Sequence, residues 1–216
     1  MIDWLTAVPR LIGEAAQASP LLGYAAIVLA MLLETVVAPM PAELILPFAG
    51  FLVHEGRLEL VPVILAGVLG SVLGAWCWYG LGRLVNERRL ERFAESHGTW
   101  LGLSPAVLAA SRRWFARHGV AVVFWGRILP GVRTFVSVPA GIELMPQLSF
   151  LAWTAAGSLL WVSALTLAGL GLGEHYDRVL PLLEPVGGVL LGLLLAGAAA
   201  VLLHRLGLWI RRRRNR

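Results

Sequence analysis

Apolar residues run in long stretches along this chain, without the regular polar positions of a helix on a soluble protein. Three stretches contain no charged residue at all: Leu60 to Gly82, Pro146 to Gly173 and Pro185 to Leu203. At about 1.5 Å per residue, about 20 helical residues cross the roughly 30 Å hydrocarbon layer of a bilayer. The pattern therefore predicts three membrane-spanning helices.

Two further apolar segments are interrupted by charges and by helix-breaking residues. The first, residues 20–53, has a glutamate on each side of a proline pair, in the order Glu34, Pro39, Pro41, Glu43. The second, residues 119–142, has an arginine on each side of a proline–glycine step, in the order Arg127, Pro130, Gly131, Arg133. Because proline removes a helical hydrogen bond, each segment is predicted to break at this step.

The positive charge is concentrated in two places, and this predicts a topology. All 18 basic residues are arginines, and most lie in the linker 83–118 or the tail 205–216. By the positive-inside rule both are cytoplasmic, and the acidic loop 174–184 is outside. Residues 119–142 must then begin and end on the cytoplasmic side, which predicts a re-entrant hairpin. Residues 34–50 are the matching hairpin from the outer face.

Composition agrees with a membrane protein. Hydrophobic residues make up 58% of the chain and charged residues 14%, which is too apolar for a soluble domain of this length. Residues 1–19 lack the pattern of a cleavable signal peptide and are predicted to form an interfacial helix. The basic linker and tail favour anionic lipid headgroups over nucleic acid as partners. No histidine or cysteine spacing suggests a metal, and no cofactor is expected.

A weak internal repeat relates the two halves. Each half has a proline-broken segment ending in Ala-Gly, then a span with a Gly-Ser step that ends in Gly-Leu-Gly. The paired positions are Ala49-Gly50 and Ala140-Gly141, Gly70-Ser71 and Gly157-Ser158, and Gly80-Leu81-Gly82 and Gly169-Leu170-Gly171. Broken helices at corresponding places in two halves point to the binding site of a transporter.

The two arginines in an apolar segment are the first candidate site. A charge at the bilayer centre costs at least about 2.5 kcal/mol on insertion scales, so Arg127 and Arg133 need partners or a task. Guanidinium binds phosphate through a planar fork of donors. Across the Pro130–Gly131 break, both could converge on one phosphate. The alternative is that they only form ion pairs that hold the hairpins together.

The two glutamates are the second candidate. A buried carboxylate can take up and release a proton, which is how transporters couple to a gradient. Glu34 and Glu43 would switch between charged and neutral forms as the site fills and empties. The alternative is a static Glu–Arg salt bridge. The sequence lacks residues that two kinds of membrane enzyme require. The serines in the spans have no histidine nearby for proteolysis, and a phosphatase would need a histidine nucleophile beside the arginines.

The motifs resemble those of the DedA family, the bacterial members of the VTT-domain (SNARE-associated) group. The resemblance rests on Phe124 to Phe135 with Pro139-Ala140-Gly141, on Glu34 with Pro39 to Gly50, and on Tyr79 to Arg83. It implies spanning helices around two opposed re-entrant hairpins, and movement of phospholipid such as undecaprenyl phosphate or phosphatidylethanolamine. The family's acidic and arginine pairs correspond to Glu34, Glu43, Arg127 and Arg133. Thr35 departs from the family, where asparagine often follows the first glutamate.

The sequence thus predicts an all-α polytopic protein of the bacterial inner membrane, with one transmembrane domain over residues 20–204 and a cytoplasmic C-terminus. Its spanning helices would surround two opposed re-entrant helical hairpins, with interfacial amphipathic helices at the N-terminus and in the linker 83–118. The predicted function is a lipid translocase, coupled to protons through Glu34 and Glu43, and not an enzyme. Two alternatives stay open: a proton-coupled transporter of small ions or solutes, and a non-transporting scaffold for envelope biogenesis. A homo-oligomer and the side of the N-terminus also stay open.

Overall fold

The computed structural model describes residues 3–37, 42–84, 105–128, 133 and 136–173. Within these ranges the chain forms seven helices and no strands. They are α1 (Asp3–Ala18), α2 (Pro20–Val37), α3 (Ala42–His54), α4 (Leu60–Leu84), α5 (Pro105–Gly126), α6 (Ser137–Ile142) and α7 (Gln147–Leu172). The predicted third span, the acidic loop, the basic tail and most of the linker lie outside the described residues.

Two of the predicted spans are present as long apolar helices. α4 and α7 have 25 and 26 residues and mean hydropathies of 2.1 and 1.7, enough to cross a membrane by length and composition. Many of their outward-facing side chains are large and apolar, among them Leu65, Leu69, Trp76, Leu160 and Leu167. Several of their glycines, including Gly70 and Gly157, are buried, and small residues at such positions let neighbouring helices approach closely. Lipid is the solvent that suits this outer surface.

α4 and α7 pack side by side in opposite directions. Near the end of α4, the Tyr79 hydroxyl donates a hydrogen bond of 2.5 Å to the carbonyl of Met145, just before α7 begins. Earlier in α4, Gly67 lies against Val162 in the second half of α7. The last turns of α4 therefore lie beside the first turns of α7, as the predicted topology of the two spans requires.

α2 and α3 form a helical hairpin. The backbone N–H of Glu59, after α3, donates to the Tyr24 hydroxyl at the start of α2 at 3.0 Å, and Leu58 lies against Gly23. α3 thus returns to the end from which α2 started. Residues 38–41, which connect α2 to α3 and include Pro39 and Pro41, lie outside the described residues.

The second interrupted segment differs in part from its prediction. α5 begins at Pro105, within the predicted linker, and continues past Gly119 to Gly126. The boundary expected between linker and hairpin at residues 118 and 119 is therefore inside one helix. A glycine within a helix costs only about 1 kcal/mol, and here the ring of Phe115 packs on Gly119. After residues 127–136 the chain turns back as α6, and Val136 lies against Gly126.

In each half, the returning helix packs against the long helix of the other half. In the first half, Gly50 of α3 lies against the backbone of Thr166 and Leu170 in α7; in the second, Gly141 of α6 lies against the backbone of Tyr79 and Arg83 in α4. Thr166 follows Tyr79 by 87 residues, and Leu170 follows Arg83 by the same 87. The two contacts are thus equivalent, and they support an internal repeat in which α4 and α7 correspond.

The same contacts correct one detail of the predicted repeat. Gly82 lies against the backbone of α6, and Gly169 lies against Pro47 of α3, so Gly82 corresponds to Gly169. A methyl group added to Gly80 or Gly171 would meet nothing within 4 Å. The two Gly-Leu-Gly sequences are therefore offset by two residues in the structure, because only one glycine of each faces the crossing helix.

Candidate functional site: a buried ion pair between the two halves

Polar groups meet halfway along the two long helices. Ser71 and Ser158 are each the twelfth residue of their helix, in α4 and α7. One hydrophobic cluster lies on one side, including Met31, Leu46 and Val63. A second lies on the other side, including Tyr79, Val123 and Phe150. The polar site therefore occupies the boundary between these two clusters, about 17 Å of helix from the start of each long helix.

Arg127 binds three parts of the protein at once. Its side chain is buried, with 3% of the residue exposed. Nε donates to Ser158 Oγ at 3.2 Å, Nη1 to the carbonyl of Arg133 at 2.8 Å, and Nη2 to the carbonyl of Ser71 at 3.0 Å. The guanidinium thus connects α4, α7 and the chain that returns toward α6.

Arg133 and Glu34 form an ion pair across the two hairpins. Arg133 Nη2 contacts Glu34 Oε1, and the two side chains are 9% and 8% exposed. Glu34 lies in the last turn of α2, whereas Arg133 lies between α5 and α6. A charge-assisted bond therefore joins the first hairpin to the second in a site shielded from solvent, where such a bond is strong.

Two neighbours fix the end of α2 that carries Glu34. The Thr35 hydroxyl oxygen lies 2.9 Å from the carbonyl of Met31 and 3.2 Å from Glu34 Oε2. Trp78 Nε1 donates to the carbonyl of Thr35 at 2.8 Å. The last carbonyls of a helix lack donors within the helix. Trp78 of α4 supplies a donor to one of these carbonyls, that of Thr35. Although Thr35 replaces the family's asparagine, it still makes a polar contact with the glutamate.

Glu43 lies apart from this chain of contacts. It is in the first turn of α3, where a carboxylate is favoured by the helix dipole, and it is half-buried. It is near enough to Glu34 for the two carboxylates to repel each other. Within the described ranges it makes no ion pair with either arginine. Of the four charged residues singled out in the sequence, the structure brings Glu34, Arg127 and Arg133 into one chain of contacts, while Pro130 and Gly131 lie outside the described residues.

Sequence reasoning missed the acceptors of Arg127. Ser71 contributes a backbone carbonyl, which no residue type reveals, and Ser158 had been considered only as a nucleophile. A signal for both was present in the repeated Gly-Ser step, because Gly157 lets the Arg127 side chain pack directly on α7. The described residues include no group of three or more histidine, cysteine, aspartate or glutamate side chains that could hold a metal ion.

These features define a class of helical membrane protein. It has two antiparallel apolar helices, two helical hairpins and an ion pair buried between repeated halves, with a polar site near the middle of the long helices. The VTT-domain family model matches residues 40–171. The chain belongs to this family, also known as the DedA family.

Three relatives show which proteins this chain is similar to. An "alkaline phosphatase-like protein" of Lactococcus lactis subsp. cremoris is 35% identical over 80% of this chain and 81% of its own length. "Undecaprenyl phosphate transporter A" of Staphylococcus aureus is 33% identical over 73% of this chain and 78% of its own. The Bacillus subtilis protein of the same name is 32% identical over 73% and 76%. No solved structure matches this chain.

Proposed function

We propose that this protein moves a lipid with a phosphate headgroup between the leaflets of the bacterial inner membrane, and that undecaprenyl phosphate is its substrate. The observation that carries the proposal is the Arg133–Glu34 ion pair, buried halfway along the apolar helices. The names of the relatives from Staphylococcus aureus and Bacillus subtilis support the substrate.

The ion pair suits an exchange of anions. Burying two charges costs desolvation energy that their attraction only partly recovers, so such a pair adds little net stability. A phosphate can replace the carboxylate of Glu34 with the same sign of charge and a better match to the guanidinium fork. Arg133 can therefore bind either Glu34 or a headgroup without ever being left unpaired.

The apolar outer surface suits the lipid tail. The headgroup would pass between the hairpins, which we propose are re-entrant, while the tail stays in the surrounding lipid beside α4 and α7. Side chains such as Leu69 and Leu160 there are more than half exposed. The apolar tail would then never enter the polar site, and only the phosphate would need protein partners.

Glu34 and its neighbour Glu43 provide a route for proton coupling. When Glu34 is protonated it loses most of its attraction for Arg133, so the arginine is released for phosphate. The two carboxylates repel each other when both are charged. Return of the carboxylate to Arg133 would then expel the headgroup, with the proton leaving on the other side.

Transport in vesicles tests the proposal. The purified protein is reconstituted, and leaflet-specific chemistry measures the movement of undecaprenyl phosphate and, separately, of phosphatidylethanolamine, with and without a proton gradient. We expect Arg133→Ala to abolish movement and Glu34→Gln to flatten its pH dependence. Arg57→Ala is the matched control, because this arginine forms a solvent-exposed ion pair with Glu55, and it should transport normally.

Other outcomes would identify the alternatives. Persistent transport in Arg133→Ala would remove the ion pair from the mechanism. Proton-coupled movement of ions without lipid movement would favour a solute transporter, and movement of neither would favour a scaffold. Release of inorganic phosphate from undecaprenyl phosphate would show an enzyme, contrary to our expectation.

A further inference from the structure

We infer that the two arginines have different tasks: Arg133 binds the headgroup, whereas Arg127 is a positioning residue that holds the two halves and the Arg133 backbone in register. This rests on the proposed function and assigns roles within its site. It differs from the expectation from sequence, in which both guanidinium groups converge on one phosphate.

The partners of Arg127 are the first argument. All three of its guanidinium nitrogens donate to protein oxygens, and two of these are backbone carbonyls, of Ser71 and Arg133. The fork formed by Nη1 and Nη2 is the edge that would grip a phosphate, and both nitrogens are engaged. Turning it to a ligand would break two buried hydrogen bonds from a charged donor, worth about 1.5–3 kcal/mol each.

The partner of Arg133 is of another kind. Glu34 is a side chain that can rotate and can be neutralised by a proton, whereas a carbonyl within a packed helix can do neither. Replacing Glu34 by phosphate leaves no backbone group unsatisfied. The exchangeable partner therefore belongs to Arg133.

The position of Arg127 is the third argument. Ser71 and Ser158 are 87 residues apart and occupy equivalent places in α4 and α7, so Arg127 binds the same point of both halves. Its third contact is the backbone of Arg133 itself. Loss of Arg127 would thus displace Arg133, the residue that binds the headgroup, without removing its guanidinium.

Glu34→Gln and Ser158→Ala each remove a protein partner of one arginine. The two roles predict opposite changes in the affinity for phosphate. The probe is dodecyl phosphate, titrated into the purified protein in neutral maltoside micelles and followed by tryptophan fluorescence, with dodecanol as the uncharged chain control. Glu34→Gln frees Arg133 and should tighten binding by about 2- to 10-fold. Ser158→Ala removes one anchor of Arg127 and should weaken binding by about 2- to 10-fold, the range expected for one hydrogen bond.

The outcomes are distinct. If Arg127 were a phosphate ligand, Ser158→Ala would release it and would tighten binding or leave it unchanged, which would overturn the inference. Arg133→Gln should abolish binding, and retention of wild-type affinity would overturn the assignment of Arg133. If the wild-type protein binds dodecyl phosphate no better than dodecanol, the proposed function fails as well. The melting temperature without ligand, expected to fall in Ser158→Ala, reports the anchoring contact independently of any probe.

Discussion

The ion pair between the hairpins can be tested by its effect on stability. Glu34→Leu leaves the Arg133 guanidinium buried without a counter-charge, whereas Arg133→Met leaves the Glu34 carboxylate. The double variant removes both charges and replaces them with apolar groups of similar size. The four proteins form a double-mutant cycle that isolates the interaction between the two side chains.

The burial of the pair sets the expected magnitudes. With the side chains 9% and 8% exposed, breaking the pair from one side should cost about 3–5 kcal/mol. Glu34→Leu should be the more damaging single change, because arginine cannot be neutralised by losing its proton whereas a lone carboxylate can gain one. The double variant should be near wild type, so its cost should fall at least about 6 kcal/mol below the sum of the single costs.

The assay is unfolding in mixed micelles with a rising fraction of dodecyl sulfate, followed by tryptophan fluorescence. The matched control is the same cycle on Glu55 and Arg57, an ion pair of 2.9 Å whose side chains are 31% and 39% exposed. Its coupling should stay below about 1 kcal/mol. If the costs of the Glu34 and Arg133 changes simply add, within about 0.5 kcal/mol, the pair does not form in the resting protein and the exchange mechanism loses its basis.

Three further changes test the crossings around the site, each by the melting temperature in detergent. Gly169→Ala places a methyl group 2.6 Å from the Cα of Pro47 and should destabilise by about 1–3 kcal/mol, while Gly171→Ala, which faces open space, should be neutral or stabilising; equal effects would contradict the crossing. Tyr79→Phe removes the hydrogen bond to Met145 and should cost about 1 kcal/mol. Trp78→Phe leaves the carbonyl of Thr35 without a donor and should cost about 1–3 kcal/mol; an unchanged melting temperature would exclude that contact.

Much of this architecture follows from residue types alone. The spans appear because charges are absent over the length of a bilayer, and α4 and α7 are the result. The expectation that an arginine and a glutamate meet follows from the cost of an unpaired charge in an apolar segment. Both inferences depend on energies large enough to override local detail, so they hold without knowledge of the packing.

The details that sequence reasoning missed depend on weaker or invisible terms. The predicted linker ends at residue 118, but the cost of Gly119 within a helix is small enough for packing with Phe115 to offset it. The acceptor that Ser71 provides is a backbone carbonyl, which every residue carries. The partner of Glu34 is Arg133, whereas Arg127 binds Ser71, Ser158 and the backbone of Arg133. A residue pattern does not contain these contacts.

The repeat also explains why only one of the two halves places an arginine against the glycine of a long helix. Gly157 meets the carbonyl of Phe124 and the side chain of Arg127, and Gly70 meets the carbonyl of Val28 and the side chain of Met31, three residues further on in each case. Met31, fully buried, therefore occupies in the first half the place that Arg127 occupies in the second. A second guanidinium there would repel the first and compete for the same serines. The fold is symmetric but its charge is not: Arg127 belongs to one half and anchors both, and among the described residues the carboxylate of Glu34 is paired with Arg133.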